Sequence, residues 1–387
     1  MNLQSSTISP SEPGGACRRI ALAAVATLAV SVFGAGCGSA SLTPTRSSVV
    51  DRAELQTELD TLVDLGVPGV VVMVSEGGQS VTVTAGVSDL GAGTAMDAGA
   101  TFRIASMTKP YTATVVLQLV EEGILHLDDT VEQWLPGIVA NGDEINIREL
   151  LHHTSGVADY FDDPAVLQPY LEGDFEHVWT PRELVEVADD LGSTSPPGSE
   201  WRYSNTNYAI AGLIVEAASG HSLGDEMQAR IFDELGLEHT TFATSTAFDA
   251  HMARGYLLGG DAPIDSTGVY PFPWGAGNIV SDAADATTFY SALLSGDLLS
   301  PSMLAQMLPA TDDDVMYGLG VMAWRFPCGV AYGHDGGFAG YSTRSLVLAD
   351  GRQVVILSNS TTLDDQLTPD PASGDQFEAI VEDAICG

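Results

Sequence analysis

Val70-Val71-Val72-Met73-Val74, then Gly77-Gly78, then Val81-Thr82-Val83-Thr84: two β-branched runs separated by a glycine pair spell a β-hairpin near the start of this 387-residue chain. A second hairpin closes the other end, where residues 342–348 and 353–357 flank Asp350-Gly351. Working outward, residues 51–65 carry Leu55, Leu59, Leu62 and Val63 at helical spacing, with Gly66 and Pro68 as stops. Residues 377–385 spell a terminal amphipathic helix. Residues 111–122 are apolar enough for a buried helix ending at Gly123, and a mixed, largely helical stretch follows, without internal repeats. The order is helix, two strands, a long insert, two or three strands, helix. The simplest assembly is an α/β (α+β) fold: one antiparallel sheet built from both chain ends, covered by the terminal helices, with an all-helical lobe inserted between the halves. A ligand site is then expected in the cleft between sheet and lobe.

Composition narrows the function. With 52 acidic against 14 basic residues the formal net charge is −38, so binding to nucleic acid or to an anionic membrane through a basic patch is excluded. The acidic residues are dispersed, as on a solvated surface, and 45% hydrophobic content supports a large core. At the N-terminus, Arg18-Arg19 precede an apolar run from residue 20 to residue 33 that ends in Gly34-Ala35-Gly36-Cys37. The run is short for a membrane span and ends in small residues, as an export signal does. Residues 1–36 are read as a signal peptide and 37–50 as a polar tether before a domain over 51–387. Cys37 sits where a lipoprotein receives its lipid, so membrane attachment through a lipidated Cys37, plain cleavage and an uncleaved anchor all stay open. The expected location is extracytoplasmic.

The chain has one lysine, Lys109, against thirteen arginines. An ammonium can lose its proton when buried; a guanidinium cannot. Lys109 follows Ser106 by three residues in Phe102-Arg103-Ile104-Ala105-Ser106-Met107-Thr108-Lys109, a spacing that puts both side chains on one face of a helix start. An amine one turn from a hydroxyl is the minimum equipment for activating a serine. Two further stretches offer partners. Tyr203-Ser204-Asn205 follows the Pro197-Gly198 turn, and a Tyr203 phenolate held by the ammonium would take the Ser106 proton. Gly333-His334-Asp335-Gly336-Gly337 precedes the last hairpin, where glycines allow close approach of backbone to a ligand. Taken singly, each stretch also reads as an ordinary turn or loop.

Together, Ser106-x-x-Lys109, Tyr203-x-Asn205 and His334-x-Gly336, supported by Leu150-Leu151-His152-His153-Thr154-Ser155-Gly156, Gly275-Ala276-Gly277-Asn278-Ile279-Val280-Ser281 and Tyr317-Gly318-Leu319-Gly320, resemble the serine β-lactamase-like superfamily of the class C β-lactamase and DD-peptidase type. The resemblance spans about residues 51–387. It implies a covalent acyl-enzyme mechanism without cofactor or metal. Ser106 is the nucleophile it implies, Lys109 and Tyr203 the proton-transfer pair, Asn205 an orienting residue and His334 an electrostatic group. The N–H groups of Ser106 and Gly337 are the implied oxyanion hole. The substrate is a small molecule or peptide: a D-Ala-D-Ala peptide, a D-amino-acid peptide or an ester.

This chain departs from the family at Asp335, where penicillin-recognising members carry Thr or Ser to hold a substrate carboxylate. An acid there repels a carboxylate, which tells against β-lactamase and strict carboxypeptidase activity, with Arg325 the nearby compensating charge to consider. A non-catalytic binding lipoprotein of the same fold is the rival, and it gives no reason to keep the lone lysine. His152 and His153 are expected to cap the turn at residues 154–156, and Tyr160 and Phe161 to wall the cleft. Cys328 and Cys386, the cysteines that follow Cys37, are expected to form a disulfide in an exported protein.

Overall fold

The computed structural model describes residues 50–247, 251–260, 262–310, 315–362 and 371–387. The export segment, Cys37 and the tether up to residue 49 lie outside the described residues.

The two hairpins do form the ends of one sheet. Strands β1 (Gly69–Glu76), β2 (Gln79–Asp89) and β3 (Thr94–Ala95) come from the N-terminal part. Strands β4 (Met322–Phe326), β5 (Gly329–Phe338), β6 (Tyr341–Leu348) and β7 (Gln353–Ser358) come from the C-terminal part. The order β3-β2-β1-β7-β6-β5-β4 is antiparallel throughout, and the two chain ends meet where Val72 faces Ile356. Gly77 and Gly78 at φ 57° and 79° supply the two left-handed positions that a tight hairpin turn demands.

Strand alternation divides the core. Val70, Val72 and Val74 pack with Leu55, Leu59 and Leu62 of α1 (Arg52–Asp64) and with Phe377, Ile380 and Val381 of the C-terminal helix, Pro371–Cys386. Val71, Val355 and Leu357 point to the other face, into the core of the inserted lobe. Burial on both faces explains why β1 is an unbroken apolar run. Two of the lobe's helices matter most here: α2 (Lys109–Glu121) and α3 (Ile147–His152). A third, α4 (Asn205–Ser219), packs against both.

The structure corrects two expectations. The lobe is not all-helical: two three-stranded sheets belong to it or border it, one joining 102–103, 241–242 and 279–281, the other 256–258, 264–265 and 360–362. Four C-terminal strands enter the main sheet rather than two or three. The glycine-rich stretch around His334 lies on strand β5, as the family resemblance implies, and its Gly333 and Gly336 press against neighbouring backbone where a Cβ would collide with Ser345 and Ile104 carbonyls.

Cys328, in the β4–β5 turn, is bonded to Cys386, the last residue of the C-terminal helix, with Cα atoms 5.5 Å apart. The bridge ties that helix to the sheet across 58 residues. The Cys328→Ser/Cys386→Ser pair is expected to lose about 4 kcal/mol of stability by the chain-entropy model, read as a lower urea midpoint. An unchanged midpoint would show that the helix is held without it.

Candidate active site

The site is assembled around the Lys109 amine. Its Nζ lies 2.9 Å from Ser106 Oγ, 2.8 Å from Asn205 Oδ1 and 3.0 Å from the Ala276 carbonyl, and the side chain is fully buried. Two of these partners can only accept. When the amine is neutral, its two protons go to Asn205 and Ala276, and its lone pair faces the Ser106 hydroxyl. Burial lowers the Lys109 pKa to about 7, against the opposing pull of Asp159 and Asp335. The neutral form is therefore populated at neutral pH.

Each contact has its own support. Ser106 lies in a tight turn (Ala105–Thr108) that opens α2. Ala105, just before it, is held at φ 49°, a left-handed conformation that a residue with a Cβ adopts at a cost. The turn is fixed from outside: Ile104 N–H donates to the Ile279 carbonyl, Thr343 Oγ1 to the Ile104 carbonyl and Tyr290 OH to the Met107 carbonyl. Gly336 of β5 lies so close that a Cβ would sit 2.9 Å from Ser106 N.

Asn205 opens α4. Its Nδ2 donates to Asp159 Oδ2 at 2.8 Å, and because a carboxylate only accepts, this bond turns the amide oxygen toward Lys109. Asp159 also accepts from the backbone N–H groups of Asn205 and Phe161. Burial raises its pKa, and these donors and Lys109 pull it back. The Ala276 carbonyl is presented by a turn in which Trp274 is left-handed, φ 53°. Asn278 staples that turn, accepting from Trp274 N–H and donating to the Ala243 and Pro271 carbonyls.

Tyr203 OH donates to Ser106 Oγ at 3.0 Å. Burial drives its pKa well above 10, so the resting group is a phenol. The base that the environment favours is Lys109 rather than a Tyr203 phenolate. His153 holds the segment that carries Tyr203 from behind. It caps α3 at φ 61°, its carbonyl accepts from Arg202 N–H, and its Nδ1 accepts from Ser204 N–H. Its ring lies 4.3 Å from that of Tyr203. It does more than cap the turn at residues 154–156. His334 is also buried: its ring contacts Tyr317 OH through Nε2 and the Asp335 carbonyl through Nδ1. Burial lowers its pKa to about 4, so it is uncharged at neutral pH.

Two arms of one cleft meet at Ser106. The first, about 220 Å3, is lined by Phe161, Pro273, Phe338 and Gly337 beside Ser106, Tyr203 and Asn205. Phe161 is thus a wall, while Tyr160 is core. The second, about 520 Å3, is lined by Asp335, Asp375, Glu378 and Arg344 beside Ser106, Tyr203 and Gly337. The guanidinium near Asp335 is Arg344, its cross-strand partner, at 3.7 Å; Arg325 pairs with Val330 farther along β5. Arg344 is itself held by both oxygens of Glu378 at 2.7 Å.

The sequence reading brought together Ser106, Lys109, Tyr203, Asn205, His334 and Gly337, and all six converge here. It missed Asp159, Ala276, Phe338 and Arg344. Ala276 acts through its carbonyl and leaves no side-chain signal; Asp159 is one acid among 52. One group among the described residues could approach a metal, His239, Asp282 and Asp285. Its atoms are engaged already: His239 Nδ1 with Asp282, Thr240 Oγ1 with Asp285, and Asp282 as a helix cap.

The family model described as Beta-lactamase matches residues 54–375. A solved D-stereospecific amidohydrolase from Streptomyces sp. is 35% identical with a TM-score of 0.77, the alignment covering 87% of this chain and 99% of that one. Penicillin-binding protein 4* of Bacillus subtilis (strain 168) is 29% identical over 331 residues, 80% of this chain and 72% of that protein. Esterase EstB of Burkholderia gladioli is 32% identical over 226 residues, 54% of this chain and 56% of that protein.

If the neutral amine is the active form, kcat/KM should rise with pH through an acidic limb near pH 7, where Lys109 loses its proton. The negative charge of Asp159 favours the ammonium, so Asp159→Asn should move that limb to lower pH. Lys109→Arg, which cannot deprotonate, should cost about 10²–10⁴-fold in acylation. A pH profile on p-nitrophenyl acetate reads the first two, and a limb that stays put in Asp159→Asn would break the link between that carboxylate and the amine.

Proposed function

The chain belongs to the Beta-lactamase family and is a serine hydrolase, and on that footing we propose that it cleaves amides or esters of D-amino acids that carry no carboxylate beside the scissile bond. Asp335 carries this reading. It faces the cleft where a substrate carboxylate would need a hydroxyl or a cation. Asp375 and Glu378 line the same arm, and the charge of Arg344, the cation there, is offset by its pairing with Glu378. A like charge at a recognition site is a device for rejecting a ligand. A β-lactam or a C-terminal peptide presents that carboxylate; an amino acid amide or ester presents none, and its free ammonium suits an acidic wall. The similarity to a D-stereospecific amidohydrolase supports the same class.

In the proposed reaction, the neutral Lys109 amine accepts the Ser106 proton as Oγ attacks the carbonyl carbon. The N–H groups of Ser106 and Gly337 stabilise the oxyanion. The Tyr203 phenol, which touches Ser106 Oγ, protonates the leaving amine or alkoxide and recovers its proton from the Lys109 ammonium, which returns to the neutral amine. Water then attacks the acyl-enzyme, with Lys109 taking its proton and passing it to Ser106 Oγ as the acyl–oxygen bond breaks. Asn205 keeps the lone pair of Lys109 directed at Ser106. We further propose that the protein works outside the cytoplasm after export and is anchored through Cys37; among the described residues, no helix is long and apolar enough to cross a membrane.

Ser106→Ala should abolish fluorophosphonate labelling with the fold intact, a loss exceeding the roughly 10²–10³-fold of one oxyanion-hole donor. Labelling mapped to another serine by peptide mass spectrometry would reassign the nucleophile. D-amino acid p-nitroanilides and short esters should be turned over faster than nitrocefin. Asp335→Thr should shift the ratio toward nitrocefin by about fivefold, the size of one partly exposed charge contact. A wild type that prefers nitrocefin would overturn the substrate reading.

A further inference from the structure

We propose that Phe338 sets the size of the acyl side chain the enzyme accepts, by closing the apolar arm of the cleft against a second cavity behind it. The apolar arm beside Ser106 and a further cavity of about 130 Å3 share Phe338 in their linings. Beyond it the second cavity is walled by Tyr170, Phe175, Leu257, Val269 and Phe272. The Phe338 ring meets Phe272 edge-on at 5.2 Å and Phe161 at 6.2 Å. Phe272 is stacked on Tyr170 at 4.9 Å. The residue the two linings share is one aromatic ring, and it is held in a three-ring cluster, since Phe161 and Phe272 also meet each other at 5.8 Å.

Its backbone is equally constrained. Phe338 ends β5, one residue after Gly337. The turn behind it, Ala339 at φ 47° and Gly340 at φ 87°, is pinned by Ser266 Oγ on the Ala339 carbonyl and by Tyr256 N–H on that of Gly340. The ring cannot swing away by a local backbone shift without breaking those bonds. The acyl side chain is assigned to this arm because its wall beyond Ser106 is aromatic, Phe161 and Phe338, whereas Asp335, Asp375 and Glu378 line the other. A side chain carried on the acylated carbonyl would extend from Ser106 toward Phe161 and stop at Phe338.

The inference rests on Ser106 as the nucleophile, and the test separates the two. p-Nitrophenyl esters of straight-chain acids from acetate to octanoate keep the leaving group constant, so a change in the chain-length profile reports the acyl side alone. The wild type should fall off steeply beyond a short optimum. Phe338→Ala should join the two cavities, move the optimum by roughly two carbons or more, and raise the long-to-short ratio of kcat/KM by about tenfold or more, the least that a pocket discriminates for a misfitting methylene. Phe338→Leu should shift the profile the same way by less, and it reads the proposal if the alanine variant does not fold. Profiles of both variants parallel to that of the wild type would overturn the proposal. Hydrolysis surviving in Ser106→Ala would overturn the nucleophile reading instead.

Discussion

A buried amine with three oxygen partners and no carboxylate in contact is the constraint on which the site depends. Lys109 is wholly inside the protein, and a lysine there must either find counter-charge or surrender its proton. Its neighbours are a hydroxyl, an amide and a peptide carbonyl. These satisfy its hydrogen bonds without stabilising the ammonium as a carboxylate would. Asp159 is held one step away, behind Asn205, where its charge tempers the amine without capturing it. The arrangement keeps one nitrogen lone pair free for the only partner able to donate, Ser106.

Holding three partners around one atom requires unusual backbone. The described residues include four non-glycine positions in the left-handed region, Ala105, His153, Trp274 and Ala339, and each adjoins a part of the site. Ala105 precedes Ser106, His153 backs Tyr203, Trp274 shapes the turn that offers the Ala276 carbonyl, and Ala339 follows Phe338. Such conformations persist only where surrounding bonds over-determine them. Here those bonds run between segments far apart in sequence, such as Thr343 to Ile104 and Ser204 to His153. The main sheet contributes β5, pressed so close to the Ser106 turn that only glycine fits at position 336.

The C-terminal helix adds a second level of dependence. It packs Phe377, Ile380 and Val381 on the sheet, is bonded through Cys386 to the β4–β5 turn, and places Asp375 and Glu378 along the acidic arm. One element therefore covers the sheet and sets the charge of the cleft. Glu378 also pairs with Arg344 through Nη1, so the charge of the cation nearest Asp335 is already offset.

Local chemistry made the frame legible from the sequence. Glycine pairs mark hairpin turns because φ is positive there, leucine spacing marks a helix face, and a lone lysine beside a serine marks an amine that can titrate. Those signals identified the two hairpins, the terminal helices and the Ser106–Lys109 pair; the family resemblance of three ordered motifs added Tyr203, Asn205, His334 and Gly337, and the export reading added the cysteine pair. Tertiary structure decided what depends on burial and on distant partners: that His334 is neutral, that Tyr203 rests as a phenol, that Asp159 orients Asn205, that Arg344 rather than Arg325 meets Asp335, and that Phe338 separates two cavities. A pKa follows from the solvent and charges removed or added around a group, and a pocket from surfaces that face each other across the fold; neither is carried by residues adjacent in the chain.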